Sequence, residues 1–417
     1  MSIYSVIYII LIVILAAYTI CHKIDLLSVA AVCFIVYSIY CIPGIGISGT
    51  YKPHLSPNLY YLIYSQCILI LLFSFFVRQK EKTALDERYN SEYTKKASPV
   101  LIRSFYIYTF IIVVFAALNI VRIGFSGFAA GKANVWAESN ILFIISLYGA
   151  YPSFAFGLHN RIKAIWIPSL LVELTIFFAG SRAFATTMAV IFLCERGSRL
   201  LSRNKKNIRL YIIGAVAVVF LLMYRLVDEQ IMAGDFSGVL SVLSQPESWF
   251  KALEFNEPRV IIANYDLVVA SNFRLPIGDT IYRLLDFIPG LTALIPIQLV
   301  YPDYFSNWLQ EAVHAVRGVG GTIWGESYAM FGGFGVLFFT LLWLFVLYKC
   351  NKHLDYHSPV SYFVMSLGVY YAWYINRLDF NLVGQAFKVF LLCFVIWAVP
   401  YLALGGAVNV FKLRVRL

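Results

Sequence analysis

The chain has 417 residues, of which 60% are hydrophobic and 13% charged, with a formal net charge of +11. Apolar runs long enough to cross about 30 Å of hydrocarbon recur from end to end, which excludes a soluble domain built on one buried core. The positive charge does not point to nucleic acid, because Lys and Arg gather in short loops between those runs, the signature of membrane orientation.

Taken in chain order, apolar runs at about 4–21, 25–42, 57–77, 100–121, 141–158, 164–180, 183–194, 210–226, 327–349, 358–375 and 384–408 predict about eleven transmembrane helices. The expected fold class is an all-α polytopic integral membrane protein with one large outer loop that carries amphipathic helices. Residues 1–226 form an N-terminal membrane region of about eight spans, 227–326 the large loop, and 327–417 a C-terminal membrane region of about three spans. The opening MSIYSVIYII has no basic region and no small-residue cleavage site after its apolar core, so it reads as an uncleaved first span. The seven cysteines lie in or near spans without a Cys-x-x-Cys pair, which argues against a disulfide framework or a zinc site.

Basic residues crowd one alternate set of loops: Lys23, the segment from Arg78 to Lys96, Arg161 with Lys163, the segment from Arg196 to Arg209, Lys349 with Lys352, and Lys412 to Arg416. The short loops of the opposite set carry only Lys52, Arg122, Lys132, Arg182 and Arg377. The positive-inside rule places the crowded set in the cytoplasm, the N-terminus outside, the C-terminus inside and loop 227–326 outside.

Within that loop, 259–269 and 279–287 have helical apolar spacing with polar faces, and would lie along the membrane surface or roof a cavity. Residues 305–317 form another such helix. There Glu311, His314 and Arg317 step by three along one side, a stripe that suits proton transfer and anion binding and equally suits an ordinary solvated face. The loop ends in GVGGTIWGESYAMFGGFG, residues 318–335, where glycines run from a loop into a hydrophobic helix. Glu326, an acid at the water end of a membrane helix, is a site candidate, with helix capping as the competing reading.

The outward arginines oppose the orientation bias: Arg182 in a tight Gly-Ser-Arg turn, Arg225, Arg259, Arg274, Arg283 and Arg317 in or beside the loop, and Arg377. Guanidinium groups bind phosphate through bidentate forks. The competing reading for any one of them is an ion pair; Glu257 lies two residues before Arg259, and Asp379 two after Arg377. For the set, an anionic substrate is the better explanation, with Arg182, Arg259, Arg283, Arg317 and Arg377 as diphosphate-binding candidates. Glu326, His314 and Glu257 are the candidate proton acceptors. No Asp-x-Asp occurs, and residues 44–56 contain no acid, so no metal site and no cofactor are expected.

Two stretches carry a resemblance. Phe178-Ala179-Gly180-Ser181-Arg182 and Gly320-Gly321-Thr322-Ile323-Trp324-Gly325-Glu326-Ser327-Tyr328, continuing through Phe331-Gly332 to Gly335, resemble the Wzy-type oligosaccharide repeat-unit polymerases, also called O-antigen polymerases. The layout of many spans with one large late outer loop is similar as well. The resemblance implies a GT-C-like fold in the bacterial inner membrane and a metal-independent glycosyltransferase. That enzyme would move a growing glycan from undecaprenyl diphosphate to a sugar hydroxyl of the next lipid-linked unit, working among membrane lipid beside a flippase and a chain-length regulator. Arg182 and Glu326 fall on the motif. Trp308, Trp324, Tyr304 and Tyr328 are candidates to stack on sugar rings, interfacial anchoring being the competing role. An O-antigen ligase, and a flippase or transporter of the same lipid-linked oligosaccharide, are the alternative functions.

Overall fold

The computed structural model describes residues 2–22, 24–42, 55–85, 97–129, 132–178, 181–201, 227, 230, 235–248, 257–295, 298–301, 304–312, 321–353 and 358–405. The described residues are helical, without strands. Among the described residues, six helices are long and apolar enough to cross a membrane: Ile3–Ile20, Pro57–Gln79, Pro99–Gly124, Ile141–His159, Ile323–Asn351 and Phe380–Ala403. The chain is therefore a multi-pass membrane protein. Of the other expected spans, 25–42 and 183–194 fall on shorter apolar helices, and 164–180 and 358–375 on helices Lys163–Phe178 and Val360–Tyr374. The expected span 210–226 lies outside the described residues.

The helices are numbered in chain order. They are α1 (Ile3–Ile20), α2 (Leu26–Ser38), α3 (Pro57–Leu85), α4 (Pro99–Ala129), α5 (Lys132–Glu138), α6 (Ile141–His159), α7 (Lys163–Phe178) and α8 (Arg182–Leu201). The segment expected as the large loop contributes α9 (Phe236–Ser244), α10 (Glu257–Ala270), α11 (Ile277–Leu285), α12 (Leu291–Leu294) and α13 (Phe305–Ala312). Helices α14 (Ile323–Asn351), α15 (Val360–Tyr374) and α16 (Phe380–Ala403) follow.

The chain forms two compact units. The first is Met1–Arg78, Lys206–Tyr348 and Tyr371–Gln385; the second is Gln79–Lys205, Lys349–Tyr370 and Ala386–Leu417.

In the first unit α1 and α2 pack as a pair, and α10 packs on α2. Asp25 caps α2 by accepting from Ser28 N at 2.7 Å, and the same carboxylate oxygen pairs with Arg78 Nη2 at 2.9 Å, so one acid serves a helix end and a guanidinium together. A polar thread joins distant parts of the sequence. The Cys33 thiol donates to the Trp373 carbonyl at 2.6 Å, Asn376 Nδ2 donates to Cys33 Sγ at 3.2 Å, and Trp324 Nε1 donates to Asn376 Oδ1 at 2.6 Å. Such bonds hold helices together in lipid, where no water competes for the donors.

The second unit is built on α4, α6, α7 and α8. Phe105 of α4 stacks on Phe156 of α6, with ring centres 3.9 Å apart, and Trp397 of α16 lies against both Phe105 and Phe363. Gly157 lets α6 approach α7 closely, since a Cβ there would stand 2.6 Å from Trp166 N. His159 and Glu195 join α6 to α8 at 3.0 Å.

Candidate functional site

Of the site candidates with described side chains, Glu326 and Arg283 meet at the start of α14. Glu326 lies in the first turn of α14, where the helix dipole favours negative charge. It is fully buried. Arg283 Nε of α11 donates to Glu326 Oε1 at 2.7 Å, and Phe380 N, opening α16, donates to Oε2 at 2.7 Å. Both carboxylate oxygens are thus held, one by a charge and one by a backbone N–H.

Arg283 is equally enclosed. Its Nη1 donates to the Asp279 carbonyl at 3.2 Å and stands 3.9 Å from Asp279 Oδ2. The Asp279 carboxylate in turn accepts from Val300 N at 3.0 Å and Tyr301 N at 2.9 Å, tying the chain after α12 back to α11. A third buried acid, Asp379, accepts from Leu382 N at 3.0 Å as the cap of α16, and from the Ser306 hydroxyl at 3.2 Å. Burial pushes the Asp379 carboxyl above the usual carboxylate range, against the opposing pull of those N–H donors. Gly321 packs closely beside it: a Cβ there would lie 3.1 Å from Asp379 N and 3.2 Å from Asp379 Cβ, a tight contact. Three carboxylates and one guanidinium from three segments, α11, the head of α14 and the start of α16, therefore form a buried polar cluster.

One turn further along, α14 is broken. Phe331 (φ −137°, ψ 15°) and Gly332 (φ 65°, ψ −154°) leave helical geometry, and the Gly332 conformation is one that only glycine populates readily. In an unbroken helix the carbonyls of Tyr328 and Ala329 would bond to the N–H groups of residues 332 and 333. Here Arg274 Nη1 donates to the Tyr328 carbonyl at 3.0 Å, and Leu275 N to the Ala329 carbonyl at 2.8 Å. The segment before α11 thus supplies the donors that the break removes. The Arg274 guanidinium also lies 4.3 Å from the centre of the Tyr328 ring, and it is exposed. The glycines at 332, 333 and 335 suggest close helix packing from sequence; at 332 the residue serves the break instead.

The remaining candidates are placed as follows. Arg259 is buried in α10. Arg377 lies over the Tyr374 ring at 5.4 Å. Trp308 is stacked on Phe273 with ring centres 4.0 Å apart and on Phe305 at 5.1 Å. Trp324 is buried and bonded to Asn376, and the Tyr328 hydroxyl donates to Asn272 Oδ1 at 3.2 Å. Tyr304 OH accepts from Gln385 Nε2 at 2.7 Å. Glu257 and Arg182 open α10 and α8, with side chains outside the described set; Arg182 belongs to the second unit. His314 and Arg317 lie outside the described residues.

Sequence reasoning singled out Glu326 and Arg283 in separate roles, and did not foresee that they meet. It also missed Asp279, whose only local signal is its place in the first turn of an amphipathic helix. Among the described residues no group of three His, Cys, Asp or Glu side chains is placed to hold a metal ion. Comparison with family models, with curated proteins and with solved structures returns no match.

Proposed function

We propose that this membrane protein polymerises lipid-linked oligosaccharide repeat units on the outer face of the bacterial inner membrane. The observation that carries the reading is the position of Glu326. This acid lies on the motif that resembles the O-antigen polymerases, and it joins a loop helix to the heads of two membrane helices through Arg283 and Phe380 N. A reaction on a lipid diphosphate needs polar groups held at the depth where the hydrocarbon ends, and a motif acid fixed there supports such a site.

In the proposed reaction the bond between the glycan anomeric carbon and the diphosphate oxygen breaks, and a bond from that carbon to an acceptor sugar hydroxyl forms. The hydroxyl proton passes to a base and the negative charge stays on the departing polyprenyl diphosphate. Arg182, Arg259, Arg317 and Arg377 are proposed to face the diphosphate. Arg283 contributes through Glu326 and Asp279, since its donors are directed to them. The base is drawn from Glu326, His314 and Glu257. The proposed orientation has the N-terminus outside, the C-terminus inside and loop 227–326 facing outward, as the basic loops require.

Deleting the gene and separating surface polysaccharide on a gel tests this function. A polymerase is expected to leave glycan of one repeat unit on its acceptor. Complete loss of surface glycan would instead indicate a flippase, or a ligase if lipid-linked polymer accumulates.

A further inference from the structure

Helix α11 is amphipathic in the reverse of the aqueous sense. Ile277, Ile281, Leu284 and, just past the helix end, Ile288 recur at helical spacing and are 79%, 44%, 36% and 53% exposed. Its polar residues Asp279 and Arg283 are turned inward and buried. A helix in contact with water exposes its polar face, because burying charges is costly and leaving aliphatic side chains exposed forgoes their transfer out of water. The inverted pattern is stable where the outer solvent is itself apolar.

The position of α11 specifies that solvent. Its N-terminal end is pinned to α14 by Leu275 N on the Ala329 carbonyl and Arg274 on the Tyr328 carbonyl, and its last turn by Arg283 on Glu326. It therefore lies beside the stretch of α14 that precedes the break at Gly332. Beyond that break α14 runs on for about 19 residues, or roughly 28 Å at 1.5 Å per residue, which by itself fills a hydrocarbon layer of about 30 Å. The stretch before the break is then at headgroup depth, and so is α11. Exposed Phe331 and Phe334 flank the break on α14 and continue the apolar surface. Arg274, whose Nη2 would stand 3.2 Å from a Cβ on Gly332, marks the polar edge of that surface. No carboxylate lies within ion-pair distance of it among the described residues.

We infer that α11 is an in-plane membrane helix: its Ile277, Ile281 and Leu284 face is seated in the acyl-chain boundary of the phospholipid bilayer, and Arg274 meets the phosphate level above it. Residues 274–288 are thus part of the membrane surface of the protein and not an aqueous domain standing above it. The inference does not depend on the proposed polymerase activity.

Site-directed spin labelling of the full chain tests it. Of the seven cysteines only Cys21 is exposed, so Cys21→Ser gives a workable background. Single Ile277→Cys, Ile281→Cys and Leu284→Cys labels would be read in vesicles of phosphatidylethanolamine and phosphatidylglycerol. Phe334→Cys serves as the lipid reference and Ser271→Cys as the aqueous one. The ratio of oxygen to nickel-chelate accessibility at 277, 281 and 284 is expected to exceed that at 271 severalfold and to approach that at 334. Nickel accessibility equal to that at 271 would place the helix in water and overturn the inference. Labels closed to both reagents would overturn it too, by showing that protein, such as a second copy of the chain, covers the face.

Discussion

Arg283 Nε lies 2.7 Å from Glu326 Oε1, with both side chains fully buried and 43 residues apart in sequence. A buried pair of this kind is held less by its own attraction than by the cost of breaking it, because either partner alone is left as a desolvated charge. Glu326→Leu and Arg283→Met are each expected to destabilise the protein by about 3–5 kcal/mol, while the double variant recovers most of that loss. Unfolding in detergent, followed as a double-mutant cycle, checks this. Single-variant losses below about 1 kcal/mol would mean that water reaches the pair.

Gly332 and its neighbour should respond oppositely to the same substitution. Gly332→Ala places a side chain in a conformation reserved for glycine and against the Arg274 guanidinium, so a loss of about 1–3 kcal/mol is expected. Gly333→Ala meets only Leu62 Cδ2 at 3.5 Å, an ordinary contact, and should be neutral or gain up to about 1 kcal/mol of helix propensity. Thermal unfolding of the two variants side by side decides the matter; equal effects would show that α14 is not broken at this point in the membrane.

Orientation is open to a direct measurement. A cysteine in place of Ser271, which is exposed at the end of α10, is expected to react with a membrane-impermeant thiol reagent added from outside, and one in place of Arg203 is not. The reverse pattern would invert the topology and with it the proposed outward site.

The proposed diphosphate contact of Arg182 distinguishes charge from shape. Lysine keeps the charge and loses the planar fork, so Arg182→Lys should lower turnover. If the contact strengthens as the diphosphate departs, losing roughly 2–3 kcal/mol of it slows chain extension about 30- to 150-fold without a matching rise in KM. Extension per mole of inserted protein is the quantity to measure, for Arg182→Ala as well. Near-normal turnover in both variants would remove Arg182 from the chemistry.

How much of this could be read from the chain depends on the range over which each signal acts. The long helices Ile3–Ile20, Pro57–Gln79 and Ile141–His159 are legible because apolar length is a local property. The helical period of 279–287 is legible for the same reason, and α11 covers most of it. Which face of α11 turns inward is not, since periodicity reports that two faces exist and the surrounding solvent decides between them. The meeting of Arg283 with Glu326, and of Asp379 with Ser306 and Gly321, depends on helices converging from distant segments. Residue spacing carries no trace of that convergence. The break at Gly332 is a middle case: the glycines advertise freedom, but both a break and a close packing use it.

The polar thread from Cys33 through Asn376 to Trp324 has a consequence for how the protein is made. Cys33 is bonded to residues about 340 positions later in the chain. At about 5–20 residues per second, a ribosome needs on the order of 15–70 s to synthesise the partners of that thiol after Cys33 itself has emerged. For that interval the Cys33 thiol lacks both of these partners, and the first unit is completed only when one of the last segments to be translated arrives. A ribosome that stalls before residue 371 therefore leaves the first unit without its last segment, with Cys33 and Trp324 deprived of Trp373 and Asn376, in the state that membrane quality control is built to find.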